Sequence, residues 1–83
     1  MKHVAYSKAA SRVLLRMPRN DAARVRSKVD QYAANPATLA NQVKKLQGRP
    51  GYRVRVGDWR VIFDEDDRVV FIEEIGSRGS IYD

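Results

Sequence analysis

The spacing of apolar residues changes near the middle of this chain, and that change restricts the folds it can adopt. Before residue 35, apolar residues recur at intervals of three and four, as on one face of a helix. From Tyr52 onward they alternate with charged residues, as in half-buried strands. Helices followed by a run of strands predict an α+β domain with the helices on one face of the sheet.

The first half predicts a short strand, His3 to Tyr6, and then a helix that Ser7 caps with its hydroxyl. We expect this helix from about Lys8 to Met17, because Pro18 cannot continue the hydrogen-bond ladder. Asn20 is expected to cap a second helix that ends before Asn35-Pro36, so the pair forms an antiparallel hairpin. The predicted apolar faces comprise Ala10, Val13, Leu14 and Met17, then Ala22, Val25, Val29, Tyr32 and Ala33.

The second half predicts a meander of strands, preceded by a loop with a helical turn near Leu39. Tyr52 to Val56 and Trp59 to Phe63 flank Gly57-Asp58, a pair typical of tight hairpins. After a turn of aspartates, Val69 to Ile75 forms the next strand. The expected order is β-α-α-β-β-β, a helical hairpin packed on a small antiparallel sheet.

Length and composition limit what the chain can do. With 83 residues it is expected to form one domain, residues 1–83, because two cores would each be too small. It lacks cysteine and has His3 as its one histidine, so we expect no metal and no cofactor. Apolar runs fall short of the ~20 residues of a membrane span, and basic residues interrupt any signal sequence. A cytoplasmic protein without membrane contact is expected.

Charge is distributed unevenly along the chain. The net charge is +6 and the isoelectric point is near 10.1. Residues 1–60 hold fourteen basic and three acidic side chains, whereas residues 61–83 hold two basic and seven acidic ones. A strongly basic portion is typical of a polyanion binder. A surface charged for solubility explains the composition equally well.

The predicted hairpin places Arg53, Arg55 and Arg60 on one side of the sheet, with Arg55 directly opposite Arg60. Like charges at this position repel, and an anionic ligand would relieve the repulsion. Two simpler explanations stay open: the side chains spread into water, or an acid such as Glu74 neutralises them.

Further basic residues are candidate RNA contacts: Lys8, Arg12 and Arg16 at four-residue spacing on the first helix, and Lys44 and Lys45 before the meander. A solvated outer face also explains the helical row. The acidic run from Asp64 to Asp67 is interpreted as a turn rather than a metal site. Adjacent Glu73 and Glu74 are expected to point to opposite faces, which argues against a catalytic carboxylate pair.

Four segments carry a family resemblance: Lys45 to Gly48, Gly51 to Phe63, Ile75 to Arg78, and Tyr82. Together they resemble the RelE/ParE toxin superfamily of bacterial toxin–antitoxin modules. The helical hairpin before the meander belongs to the same fold, so the resemblance covers nearly the whole chain.

The resemblance implies a RelE-type toxin that cleaves mRNA in the ribosomal A site and is held inactive by an antitoxin. In that family the ribose 2′-hydroxyl attacks the adjacent phosphate and a cyclic phosphate is left. By position, the family's basic residues and tyrosine correspond to Arg53, Arg55, Arg60, Arg78 and Tyr82. Arg60 is assigned to the scissile phosphate, Arg78 to the leaving group, and Tyr82 to the 2′-hydroxyl or a base.

One departure from the family concerns proton transfer. RelE has lysines where this chain has Arg53 and Arg55, and arginine stays protonated. The resemblance therefore implies either a slow nuclease or one that transfers protons through Tyr82 and Lys45.

Two other functions are also compatible with the sequence. One is a ParE-like inhibitor that binds DNA gyrase without hydrolysis; the other is an RNA-binding module without catalysis. ParE-like relatives generally lack the full basic and tyrosine set, which favours the nuclease. Expected partners are the 70S ribosome, mRNA, and an antitoxin whose acidic segment, a helix or an added strand, covers the arginines.

Overall fold

The computed structural model of the protein describes residues 1–77. Its elements are β1 (His3–Tyr6), α1 (Lys8–Arg16), α2 (Arg19–Ala34), a 3-10 turn (Pro36–Leu39), β2 (Lys44–Lys45), β3 (Tyr52–Val56), β4 (Trp59–Glu65) and β5 (Val69–Ser77). The predicted order and the helical turn near Leu39 are confirmed. Strand β2 is an addition, because two residues are too few to show alternation.

The five strands form one sheet in the order β1-β5-β4-β3-β2. The α+β class and the antiparallel meander of β3, β4 and β5 are confirmed. The sheet is nevertheless mixed, because β1 pairs with β5 in parallel, from His3 opposite Val69 to Tyr6 opposite Ile72. This pairing joins the two ends of the described chain. Local alternation carries no information about such a distant partner.

Ser7 starts α1 as predicted. Its Oγ accepts a hydrogen bond from the backbone N–H of Ala10 at 3.0 Å and donates to the carbonyl oxygen of Glu73 at 2.7 Å. The same hydroxyl therefore caps the helix and ties it to β5, which satisfies polar groups at both elements.

The predicted start of α2 is wrong by two residues. Pro18 occupies the cap position and makes no side-chain hydrogen bond, and the helix begins at Arg19, so Asn20 lies inside it. Proline fixes φ near the helical value and lacks an N–H that would need a partner. Its carbonyl oxygen accepts from the N–H of Ala22 at 3.0 Å. A proline can thus begin this helix without a polar cap.

Both helices cover the same face of the sheet, and the main core lies between the helices and that face. Its fully buried members come from every layer: Ala10 and Leu14 on α1, Val25 and Val29 on α2, Val61 and Phe63 on β4, Val70 and Ile72 on β5. The apolar stripes predicted from spacing supply these residues. Within residues 1–77, no helix is long and apolar enough to span a membrane.

Candidate functional site

The face of the sheet that points away from the helices carries a group of arginines. Arg55 lies opposite Arg60, and Arg53 lies opposite Ile62, as the predicted hairpin requires. Lys44 on β2 lies opposite Arg53. Residues directly opposite one another share a face. We call the surface formed by these four basic residues the arginine face.

Helix α2 holds the hairpin that carries this face. Gly57 closes the turn with a φ of 61°, a conformation that favours glycine. The indole Nε1 of Trp59, the next strand's first residue, donates to Asp21 Oδ2 at 3.1 Å, and Arg24 donates to Asp21 Oδ1 at 2.5 Å. Both hydrogen bonds lower the pKa of Asp21, and the one from Trp59 has the larger effect. The carboxylate thereby joins the hairpin to the helix.

The three arginines differ in their exposure. Arg55 is exposed, Arg53 and Arg60 are half-buried, and the Nε atom of Arg60 is screened from solvent. A partly dehydrated guanidinium interacts with an anion more strongly than one surrounded by water. Arg55 and Arg60 also repel each other across the ladder. Both features favour an anionic ligand on this face.

Two clefts open beside these arginines. One of about 300 Å³ is lined by Lys45, Leu46, Gln47, Arg53 and Arg60. The other, of about 540 Å³, is lined by Lys28, Gln42, Lys44, Arg53, Arg55 and Gly57. Arg53 stands in the wall of both clefts. The structure therefore brings Lys44 and Lys45 together with the three arginines.

Two acids on β5, Glu73 and Glu74, lie close to Arg49. Arg49 donates to Glu74 Oε1 at 3.1 Å and lies 4.0 Å from Glu73 Oε1. The expectation that these two glutamates point to opposite faces is wrong. The register shifts between Ile62 and Phe63, so Glu73 is an extra residue in a bulge and strict alternation fails there.

The basic row on α1 lies apart from the arginine face. Lys8, Arg12 and Arg16 are all exposed on a helix that packs against the opposite side of the sheet. Arg78 and Tyr82, the remaining residues that the resemblance singles out, lie outside the described residues.

Sequence reasoning missed three residues that shape the site: Asp21, Arg49 and Lys28. Trp59 gave a signal for the first, since a half-buried indole N–H requires an acceptor. Nothing local identifies which acid accepts it. Among residues 1–77, no group of three or more His, Asp or Glu side chains is placed to hold a metal ion.

A helical hairpin on one side of a five-stranded sheet, with basic residues on the other, defines a small toxin of the RelE-like fold. More specifically, residues 4–82 match the family model described as ParE toxin of type II toxin-antitoxin system, parDE, and the chain belongs to that family. The RelE/ParE resemblance is thereby confirmed. No curated protein matches the sequence.

Several solved structures are similar over nearly their full length. A chain of the archaeal RelE–RelB complex from Pyrococcus horikoshii OT3 is 28% identical with a TM-score of 0.79, over 96% of this chain and 98% of that one. A chain of the intact E. coli RelBE toxin–antitoxin complex is 20% identical, with a TM-score of 0.76 over 93% and 96%. YafQ from E. coli strain BL21(DE3) is 20% identical, with a TM-score of 0.78 over both whole chains. The two E. coli matches show the shared fold alone.

Proposed function

We propose that this protein is a ribosome-dependent endoribonuclease toxin that cleaves mRNA in the A site. The observation that carries the proposal is the arginine face: Arg53, Arg55 and Arg60 share one surface, and lysines line the adjoining clefts. A sugar-phosphate backbone supplies the negative charge that such a surface favours, since phosphate contacts dominate nucleic-acid affinity.

The proposed reaction is an attack by the ribose 2′-hydroxyl on the adjacent phosphorus. The new P–O2′ bond forms as the P–O5′ bond breaks, which leaves a cyclic phosphate and a 5′-hydroxyl. The proton of the 2′-hydroxyl passes to a base, and the departing 5′-oxygen takes up a proton. Negative charge grows on the phosphate oxygens in between, where Arg60 provides fixed stabilisation and Arg53 and Arg55 hold the substrate.

Arginines do not exchange protons near neutral pH, so proton transfer falls to other groups. Lys45 lines the cleft that contains Arg53 and Arg60, so in this proposal its amine lies beside the scissile phosphate. Tyr82 and Arg78 complete the proposed site, by resemblance to the family. Lys45→Arg, which keeps the charge and removes the titration, should change the pH dependence of cleavage if Lys45 transfers a proton.

The basic row on α1 has a separate proposed role. Lys8, Arg12 and Arg16 lie across the sheet from the arginine face, so they would contact ribosomal RNA phosphates while the message occupies the other side. Because the three basic side chains are already exposed, they can contact phosphates without any rearrangement of the helix.

An antitoxin with an acidic segment is the proposed partner of the silent toxin. The similar chains from Pyrococcus horikoshii and E. coli were solved in toxin–antitoxin complexes. Glutamates or aspartates opposite the arginine face would neutralise it and block RNA at the same time. Co-purification with the product of the adjacent gene tests this pairing.

The decisive experiment adds purified protein to translating ribosomes and maps the 5′ ends of the mRNA. We expect cuts within the A-site codon, and none in the same mRNA without ribosomes. The control variant is Arg68→Ala, which removes an exposed arginine from the turn between β4 and β5 and should cleave as the original protein does. Intact message at saturating protein would reject the nuclease.

A second candidate function is inhibition of DNA gyrase by binding. It is favoured by the family model itself, which describes the ParE toxin of parDE. The two candidates differ in their products: gyrase-dependent DNA breaks with normal translation would establish the second, and cut mRNA with intact DNA would establish the first.

A further inference from the structure

A third cleft lies on the helical side of the hairpin. Its volume is about 310 Å³, and it is lined by Arg24, Ser27, Lys28, Gln31, Val56 and Gly57. Lys28 and Gly57 also line the 540 Å³ cleft beside the arginine face, which shares Arg53 with the 300 Å³ cleft. The three clefts are therefore neighbours that share lining residues, and we call the path along them from Arg60 to helix α2 the passage.

The sheet leaves room for this passage. Strand β2 pairs only with Tyr52 and Arg53, so the outer edge of β3 beyond them is not covered by another strand in the described part of the chain. Gly57 stands where the passage turns from one side to the other. A Cβ built there would lie 3.8 Å from Arg24 Nη2, at ordinary van der Waals distance. A backbone without a side chain allows a ligand to approach closely.

The charged side chains along the passage have a single sign in the part of the chain that the structure describes. The described lining includes seven basic side chains and no acid: Arg24, Lys28, Lys44, Lys45, Arg53, Arg55 and Arg60. Clefts lined by one sign of charge concentrate the opposite ion.

Lys28 is positioned at the junction. Its Nζ donates to Gln42 Oε1 at 2.7 Å, which directs the ammonium group toward the loop before β2. An amide oxygen does not neutralise the lysine, so the positive charge remains available to a phosphate. Arg24 differs, because it forms an ion pair with Asp21. Of the two α2 cations that line this cleft, Lys28 is therefore the stronger candidate for a phosphate contact.

From this geometry we infer that the bound RNA continues from the arginine face over the edge of β3 to helix α2, where Lys28 binds a backbone phosphate. The inference rests on the proposed RNA substrate and adds a contact away from the reacting phosphate. Recognition there is of the backbone and independent of sequence, since lysine meets a phosphate as a point charge.

Oligonucleotide length separates this inference from the proposed function. The probes are a trinucleotide and a decanucleotide of RNA, methylated at every 2′-hydroxyl so that no cleavage occurs, and affinity is measured by fluorescence anisotropy over a range of salt. Lys28→Gln should weaken decanucleotide binding about two- to fivefold, reduce the salt slope by about 0.7, and leave the trinucleotide unaffected. Lys28→Arg should bind both probes as the original protein does.

Each result has a defined meaning. Arg68→Gln is the matched control, because it removes one exposed cation at the far turn and should change neither affinity. Equal decanucleotide binding by Lys28→Gln and the original protein would overturn the inference. Loss of trinucleotide binding in Arg53→Gln supports the arginine face in the same assay; its persistence, or no binding of either probe at low salt, would count against the proposed function. An acidic peptide is tested in the same assay. If Lys28→Gln weakened the binding of that peptide and left the binding of both RNA probes unchanged, the cleft would be a protein site and the inference would fail.

Discussion

The two ends of the sheet use their charges differently. At the β4–β5 turn, acids hold the structure together: Glu65 accepts hydrogen bonds from Lys2 and Tyr32, and Asp66 accepts from the backbone N–H groups of Arg68 and Val69. At the opposite end, basic side chains crowd around clefts. Acids bound by internal donors stabilise the fold, whereas basic side chains gathered at clefts favour an anionic ligand.

The glutamate pair on β5 belongs with the structural acids. Glu73 and Glu74 both lie near Arg49, and the carbonyl oxygen of Glu73 accepts a hydrogen bond from the Ser7 hydroxyl. The bulge therefore joins α1, β5 and the loop before β3 in one place. From the number of acids alone, these glutamates could not be told apart from the exposed aspartates of the β4–β5 turn.

The largest predicted effect tests the basic end. Arg60→Ala should lower the rate of ribosome-dependent mRNA cleavage by about 10² to 10³, because it removes a fixed positive charge aimed at the scissile phosphate. The variant should remain folded, since the side chain leaves from the face opposite the main core. Single-turnover cleavage rates measure the loss, and circular dichroism confirms the fold. Activity within a few-fold of the original would remove Arg60 from the site.

The second prediction tests the acidic end. Glu65→Ala should lower the free energy of unfolding by about 1.5–3 kcal/mol, because it leaves the Lys2 ammonium and the Tyr32 hydroxyl without their shared acceptor. Urea denaturation measures the change. Cleavage per folded molecule should be unaltered. The control is Asp67→Ala in the exposed turn; equal losses in the two variants would mean that Glu65 has no special structural role.

Local pattern predicted much of this molecule. Ser7 was identified as a cap because its hydroxyl can accept from the free N–H groups of the first helical turn, and Gly57-Asp58 determined the register that groups the arginines. Features that depend on distant pairing escaped prediction. The bulge at Glu73 and the parallel partner of β1 need the assembled sheet, and Lys28 reaches the site only because α2 packs beside the hairpin.

A third prediction concerns the contact between helix α2 and the hairpin of β3 and β4. Trp59→Phe removes the indole donor to Asp21 and should cost about 1 kcal/mol of stability. It should also raise the pKa of Asp21, because that hydrogen bond is the first cause of its lowering. Carboxyl titration by NMR measures the second effect. An unchanged Asp21 titration would show that the hairpin is held by packing alone.

The smallest effect is a pH dependence at the acidic end. The hydrogen bonds that Asp66 accepts from the backbone N–H groups of Arg68 and Val69, both at 2.8 Å, lower the pKa of its carboxyl. A carboxyl whose pKa is lower in the folded state stabilises the protein above its unfolded pKa, and this stabilisation is lost as pH falls through the folded value. Unfolding free energy should thus decline below about pH 4. Asp66→Asn keeps an acceptor oxygen without titrating, so its decline should be shallower than that of Asp67→Asn. Parallel curves for the two variants would show that the turn does not depend on the Asp66 charge.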